Sequence, residues 1–282
     1  MNVFKAEFIS WDDADLLINN KAVQKFNLTE FFTDHYTGNY MPLTMLLHAL
    51  NWMFFKNSAG GHHAINLLLH AVNGILVFYI ALAVFKNKWG AVLTAIIFCL
   101  HPLQVESVAW IAETKTTLFA LFFFLGLIYY LRYLNEGKSK ILYGPVALFF
   151  VLALLSKSAA VVFPLCLVAI DLISGKKFTR QSLKKKTPFF ILSLAIGIGA
   201  IYTQQQDRYI NVSHAYPVLE RIGYAGYALA MYVVKFLLPF KLAVIYPYPQ
   251  NKILALTIGY LIIATIGKIG RASCRERVCQ YV

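Results

Sequence analysis

Trp11-Asp12-Asp13-Ala14-Asp15 places three carboxylates within four positions, ahead of any apolar run long enough to cross a membrane. Like charges this close repel, so something must offset that cost: a bound cation, a catalytic role, or solvation alone. Crowding raises a carboxylate's pKa, which makes Asp12 or Asp13 a better proton acceptor. Asp13-Ala14-Asp15 also reads as D-x-D, a set of hard oxygens able to hold a divalent ion. Asp15 could equally cap a helix starting at Leu16. A second polar segment, His101 to Lys115, contributes His101, Glu106, Glu113 and Lys115. Pro102 ends the helix before it, so capping is the simpler role for His101.

Lys115 and Lys157 lie at span ends on the same side as these acids, against the trend that puts cations on the cytoplasmic side. There they could meet an anionic lipid phosphate or merely snorkel to headgroups. Arg208, beside Asp207, is a third phosphate candidate, with an Asp–Arg loop pair as its alternative. His63, Asn66, His70 and Asn73 recur at i, i+3, i+7 and i+10 and share one stripe of a long apolar helix. In a bilayer such a stripe faces either a polar cavity or neighbouring helices to which it hydrogen-bonds.

The elements that must position these groups are membrane helices. Of 282 residues, 59% are hydrophobic and 14% charged, and the mean hydropathy is +0.60. That composition indicates an all-α, polytopic transmembrane bundle, with apolar runs sufficient for about six to eight spans. Residues 1–40 form a first non-cytoplasmic loop and residues 41–267 the bundle. Met41 to Phe55 reads as an interfacial helix with Thr44, His48 and Asn51 on one face, and His62 to Phe85 as the clearest span. Further apolar runs cover Gly90–Leu100, Thr116–Leu131, Ile141–Leu155, Ala159–Ile173, Thr187–Thr203, Ile222–Phe240 and Ile253–Gly267. The loops beginning at Lys86, Arg132 and Lys176 are basic and therefore cytoplasmic. Ten of the thirteen acids fall in the intervening segments, so the first loop and the His101–Lys115 loop share the non-cytoplasmic face. The net charge of +13 is topogenic, and no basic stretch carries the interleaved aromatics of a nucleic-acid binder. Cys99 and Cys166 sit in apolar runs, and Cys274 and Cys279 match no zinc spacing. Residues 268–282 break character abruptly and read as a non-native tail, and the chain reads as truncated at both ends.

Several blocks occur in a telling order: Phe8-Ile9-Ser10-Trp11-Asp12-Asp13, Tyr40-Met41-Pro42-Leu43-Thr44, His63 through His70, His101 through Ile111, Leu155-Ser156-Lys157, then Pro164 and Asp171-Leu172. In this the chain resembles the membrane half of the transmembrane-and-TPR-containing O-mannosyltransferases and their bacterial relatives, glycosyltransferases of the GT-C type. The resemblance covers about residues 5–250. It implies a GT-C-like bundle that moves a sugar from a polyprenyl-phosphate donor to a protein Ser/Thr hydroxyl, with inversion, outside the cytoplasm. It implies Asp12 as the base with Asp13 beside it, His101 and Glu106 completing the site, and Lys115 on the donor phosphate. Such enzymes generally need no metal, which argues against a divalent ion at Asp13 and Asp15 and for no cofactor beyond the lipid-linked sugar. The setting implied is a bacterial inner membrane, or the endoplasmic reticulum membrane in a eukaryote. Where relatives often carry Arg-Lys-Asp this chain has Thr114-Lys115-Thr116, and where they carry Glu it has Ser158.

Two other classes stand against the enzyme. One is a non-catalytic membrane anchor for a TPR scaffold; the other is a transporter using the His63–Asn73 stripe, which predicts inverted repeats that the sequence does not display.

Overall fold

The computed structural model describes residues 5–136, 140–175, 179–207, 216–243 and 246–279. Arg208, and with it Lys176 and Lys177 of the basic loop, lie outside the described residues. The chain forms two compact units, Met1–Ile210 and Asn211–Val282, and the described residues are helical with no strands.

The first forty residues are more than a polar loop. A π-helical turn Ala14–Ile18 leads into the short helices α1 (Lys21–Gln24) and α2 (Leu28–Thr33). Asn20 and Asn27 start the two helices, their side-chain oxygens accepting the N–H of Val23 and Glu30. Asp15 lies inside the π turn rather than capping it. Leu16, Leu17, Val23 and Phe31 are fully buried against Met41, against Met45 and Ala49 of α3 (Pro42–Phe55) and against Ile111 and Ala112. Burying each large side chain contributes about 1.5–3 kcal/mol. That layer holds the acidic cluster against the helical bundle.

Among the described residues, three helices are long and apolar enough to cross a membrane: α4 (Ala59–Phe85), the segment Ile111–Asn135 containing α7 (Thr114–Asn135), and α10 (Arg180–Gln206). A fourth forms if α5 (Lys88–Leu100) and the following Pro102–Ala109, which contains α6 (Val105–Ala109), count as one span bent by 49°. This is fewer than the six to eight expected from apolar runs. The difference lies in short helices: α8 (Lys140–Ser156) has 17 residues and α9 (Phe163–Ile173) only 11. A hydrocarbon core about 30 Å thick needs roughly 20 residues per straight helix. The bend after α5 follows from Pro102, which forces His101 into extended backbone (ψ 132°).

The core of the first unit lies where α7, α8, α9 and α10 meet. Phe163 stacks on Phe150 at 5.0 Å and meets Phe123 edge-on at 5.1 Å, with Phe189 alongside. Gly126 admits this ring, since a β-carbon there would lie 2.8 Å from Phe163 Cζ.

In the second unit, α11 (Val218–Leu237) pairs with α12 (Lys252–Cys279). The helices touch backbone to backbone, because a β-carbon at Gly226 would collide with the Gly259 carbonyl.

Candidate active site

The acidic cluster meets the start of α7 through Asp13. One of its carboxylate oxygens accepts the Ile9 N–H at 2.9 Å and the other accepts the Ala112 N–H at 2.7 Å. Asp13 is fully buried, and burial pushes its carboxyl above the ordinary value despite the opposing pull of the two N–H groups and of His63. Asp13 is therefore a clamp between the first loop and the Ile111–Glu113 turn. With both oxygens facing backbone donors, it is also poorly disposed to share a cation with exposed Asp15.

Asp12, the adjacent residue, points elsewhere. Its side chain keeps 33% exposure and one oxygen lies 3.6 Å from Lys115 Nζ. Lys115 is buried and pairs with Glu113 Oε1 at 3.1 Å, while Lys157 Nζ takes Glu113 Oε2 at 3.1 Å. Thr116 joins them, accepting from Lys157 at 2.7 Å and donating to Glu113. The hydroxyl of Thr114 donates to the Ile111 carbonyl at 2.7 Å. The result is one constellation of Asp12, Lys115, Glu113, Lys157 and Thr116, formally neutral, with the lysines sharing one buried carboxylate. Trp110 borders it: Lys115 Nζ sits 5.9 Å from its ring centroid, and the half-exposed Trp11 ring lies 6.0 Å away. Cations held over and beside aromatic faces are stabilised by the ring quadrupole.

The other residues singled out in the sequence are placed as follows. His101 caps the turn after α5, its Nδ1 accepting the Leu103 N–H at 3.2 Å, and Glu106 is exposed on α6. Neither is among the five constellation side chains. Asn66 is tied down by its amide group, which donates to the carbonyls of Ser107, Val108 and Trp110 at 3.0–3.3 Å and accepts from Thr117 at 2.5 Å. His70 meets the Cys99 carbonyl at 3.2 Å, and Asn73 donates to Thr117 at 2.8 Å. His63 is buried within electrostatic reach of Asp13. The polar stripe thus faces protein, and its recorded bonds fasten α4 to α5, to the loop before α7 and to α7 itself. Sequence alone gives Thr116 no role and Glu113 only a place in the polar segment; the one hint to Glu113 is a carboxylate two positions before a cation on the acidic face.

His48 backs the constellation from α3. It is fully buried, and among the described residues neither ring nitrogen has a hydrogen-bond partner. Burial, reinforced by His62 and Lys115, lowers its pKa to about 3. An unfolded histidine takes up its proton near pH 6.5. Between those values the unfolded chain binds the extra proton, so stability falls as pH drops through that window. Thermal unfolding in detergent should show a loss of up to about 1.4 kcal/mol per pH unit attributable to this residue. His48→Leu should flatten that part of the slope.

These features define a class, a helical membrane protein whose acidic face gathers carboxylates and lysines at the head of a spanning helix. Within it, the chain is similar to curated protein O-mannosyl-transferases. It is 31% identical to TMTC1 of Homo sapiens over 146 residues, 47% of this chain and 16% of that protein. It is 25% identical to human TMTC3 over 149 residues, 49% of this chain and 16% of that protein. To Tmtc2 of Drosophila melanogaster it is 24% identical over 181 residues, 62% of this chain and 19% of that protein. The resemblance carried by the sequence blocks is thus met in curated proteins, and the chain spans less than a fifth of the length of these three. No family model and no solved structure matches it.

Proposed function

We propose that this chain is the sugar-transferring membrane region of a protein O-mannosyltransferase using a polyprenyl-phosphate donor on the non-cytoplasmic side. The observation that carries the reading is the separation of roles between neighbouring acids: Asp13 is consumed by structure, while Asp12 stays accessible beside Lys115, which shares Glu113 with Lys157. Asp12 removes the proton from a Ser/Thr hydroxyl as its oxygen attacks the anomeric carbon. The bond from that carbon to the phosphate oxygen breaks, with inversion at the carbon. Lys115 and Lys157 offset the charge on the departing polyprenyl phosphate, as ammonium groups do for phosphoryl oxygens. Glu113 keeps both cations in place before the donor arrives. The names of the relatives support the class of reaction. The donor, the side and the stereochemistry rest on the family resemblance and on the charge distribution.

The test is transfer by purified full-length protein to Ser/Thr peptides, comparing polyprenyl-phosphate mannose with other polyprenyl-phosphate sugars and with a nucleotide sugar. Mannosylated peptide of inverted configuration, formed from the lipid-linked donor alone, is the expected result. Absence of transfer from every lipid-linked donor, with membrane insertion and donor binding verified independently, overturns the reading.

A further inference from the structure

About 22 Å along α7 from Lys115, at 1.5 Å per residue, lies a second polar cluster that sugar transfer does not use. A cavity of about 210 Å³ opens there, lined by Tyr130, Tyr133, Tyr143, Asp171 and the first turns of α10, from Thr179 to Lys186. Asp171 is its one carboxylate, and that carboxylate is fully engaged. Its Oδ1 accepts from Tyr130 at 2.6 Å; its Oδ2 accepts from Ser182 at 2.8 Å and from the buried Lys186 at 2.5 Å. Among the other lining groups, Lys185, Tyr133 and Thr179 have donors to offer, whereas Tyr143 already gives its proton to the Lys185 carbonyl. Lys185 Nζ is exposed and reaches the Tyr133 hydroxyl at 3.4 Å, so that the phenol accepts and keeps its own proton to give. Thr179 accepts from the Ser182 N–H at 3.2 Å and likewise retains a proton. Helix geometry leaves the N–H groups of Arg180 and Gln181, in the first turn of this 27-residue helix, without intrahelical acceptors. The end of a helix dipole adds positive potential at the same point.

From this convergence we propose that the cavity is a binding site for a phosphate-ester anion the size of a lipid headgroup, on the basic face of the bundle. Lys185, Tyr133 and Thr179 donate to the phosphate, and Asp171 and Lys186 hold the floor of the site rather than contact the ligand. A volume below the roughly 300 Å³ at which drug-sized pockets begin suits a group the size of glycerol phosphate. The positive-inside trend puts this face in the cytoplasm, where basic pockets between helices meet anionic headgroups. A soluble phosphate monoester offers the same chemistry.

The experiment is native mass spectrometry of the full-length protein in detergent, with phosphatidylglycerol, phosphatidylcholine or sn-glycerol 3-phosphate added. Retention of phosphatidylglycerol over phosphatidylcholine by about fivefold or more, unmoved by glycerol 3-phosphate, identifies a lipid ligand; direct glycerol 3-phosphate adducts that displace the lipid identify a soluble one. Either is expected to be lost in Lys185→Ala and weakened in Tyr133→Phe. Lys184→Ala removes the same charge one residue outside the cavity lining and should change nothing. Equal retention of the two lipids with no glycerol 3-phosphate adduct overturns the proposal. So does an equal loss in Lys184→Ala and Lys185→Ala, which would reduce the effect to general surface charge.

Discussion

Asp12→Asn is expected to lower sugar transfer by about two to four orders of magnitude, the range for removing a positioned general base, with no change in thermal stability. Asp12 is part-exposed and, among the described residues, pairs with Lys115 at 3.6 Å, which keeps Glu113 at 3.1 Å, so the neutral amide strands no buried donor. Asp13→Asn should do the reverse. An amide presents an N–H₂ where the carboxylate had an accepting oxygen, so the N–H of Ile9 or of Ala112 is left facing a donor in the interior. That costs about 1–3 kcal/mol, seen as an earlier unfolding transition and as faster proteolysis in the first loop. Transfer measured below the transition should fall in Asp13→Asn only as far as the loop loosens. If the two variants exchange phenotypes, Asp13 is the base and Asp12 the structural residue.

Glu113→Gln carries the second large effect. Glu113 is the counter-ion of both Lys115 and Lys157, and its side chain is only 12% exposed. Removing one partner of a half-enclosed ion pair leaves an uncompensated charge, at about 3–5 kcal/mol. Lys115, 8% exposed, bears most of it, since its remaining carboxylate is the more distant Asp12. Adding Lys157→Met to Glu113→Gln should recover part of the loss, because one stranded cation is gone; a double-mutant cycle reads the coupling. Wild-type stability in the single variant would mean that water already screens the pair.

The residue types at this site were legible from the sequence, but their division of labour was not. Lys115 and Lys157 stood out because cations at acidic-side span ends run against the topogenic trend. Their common partner could not be read off, because Lys157 and Glu113 are 44 positions apart and only the packing of α7 on α8 closes that distance. Asp12 and Asp13 are indistinguishable as letters. What separates them is placement: Asp13 is buried against the N–H groups of Ile9 and Ala112, while Asp12 stays part-exposed beside Lys115. The polar stripe of α4 was legible because helical periodicity survives in composition. Its acceptors were not, since they are mainly backbone carbonyls of other segments, which no side-chain pattern encodes. Hydropathy marks the apolar stretch of α10 but not its first turns. The apolar run begins near Thr187, yet the helix begins at Arg180, because a helix needs no lipid around its first turns.

The Asp13 clamp also dictates an order of assembly. It joins residues 99 positions apart, and the loop it closes contains α4 and α5. Closing so long a loop early is entropically unfavourable, and until Ala112 has been synthesised only the local Ile9 N–H is on hand for the Asp13 carboxylate. Until then Leu16, Leu17 and Phe31 lack Ile111 and Ala112, part of the surface that buries them. A nascent chain halted between α5 and α7 would therefore display a sticky, protease-sensitive acidic segment, and Asp12 would meet Lys115 only once the start of α7 is in place.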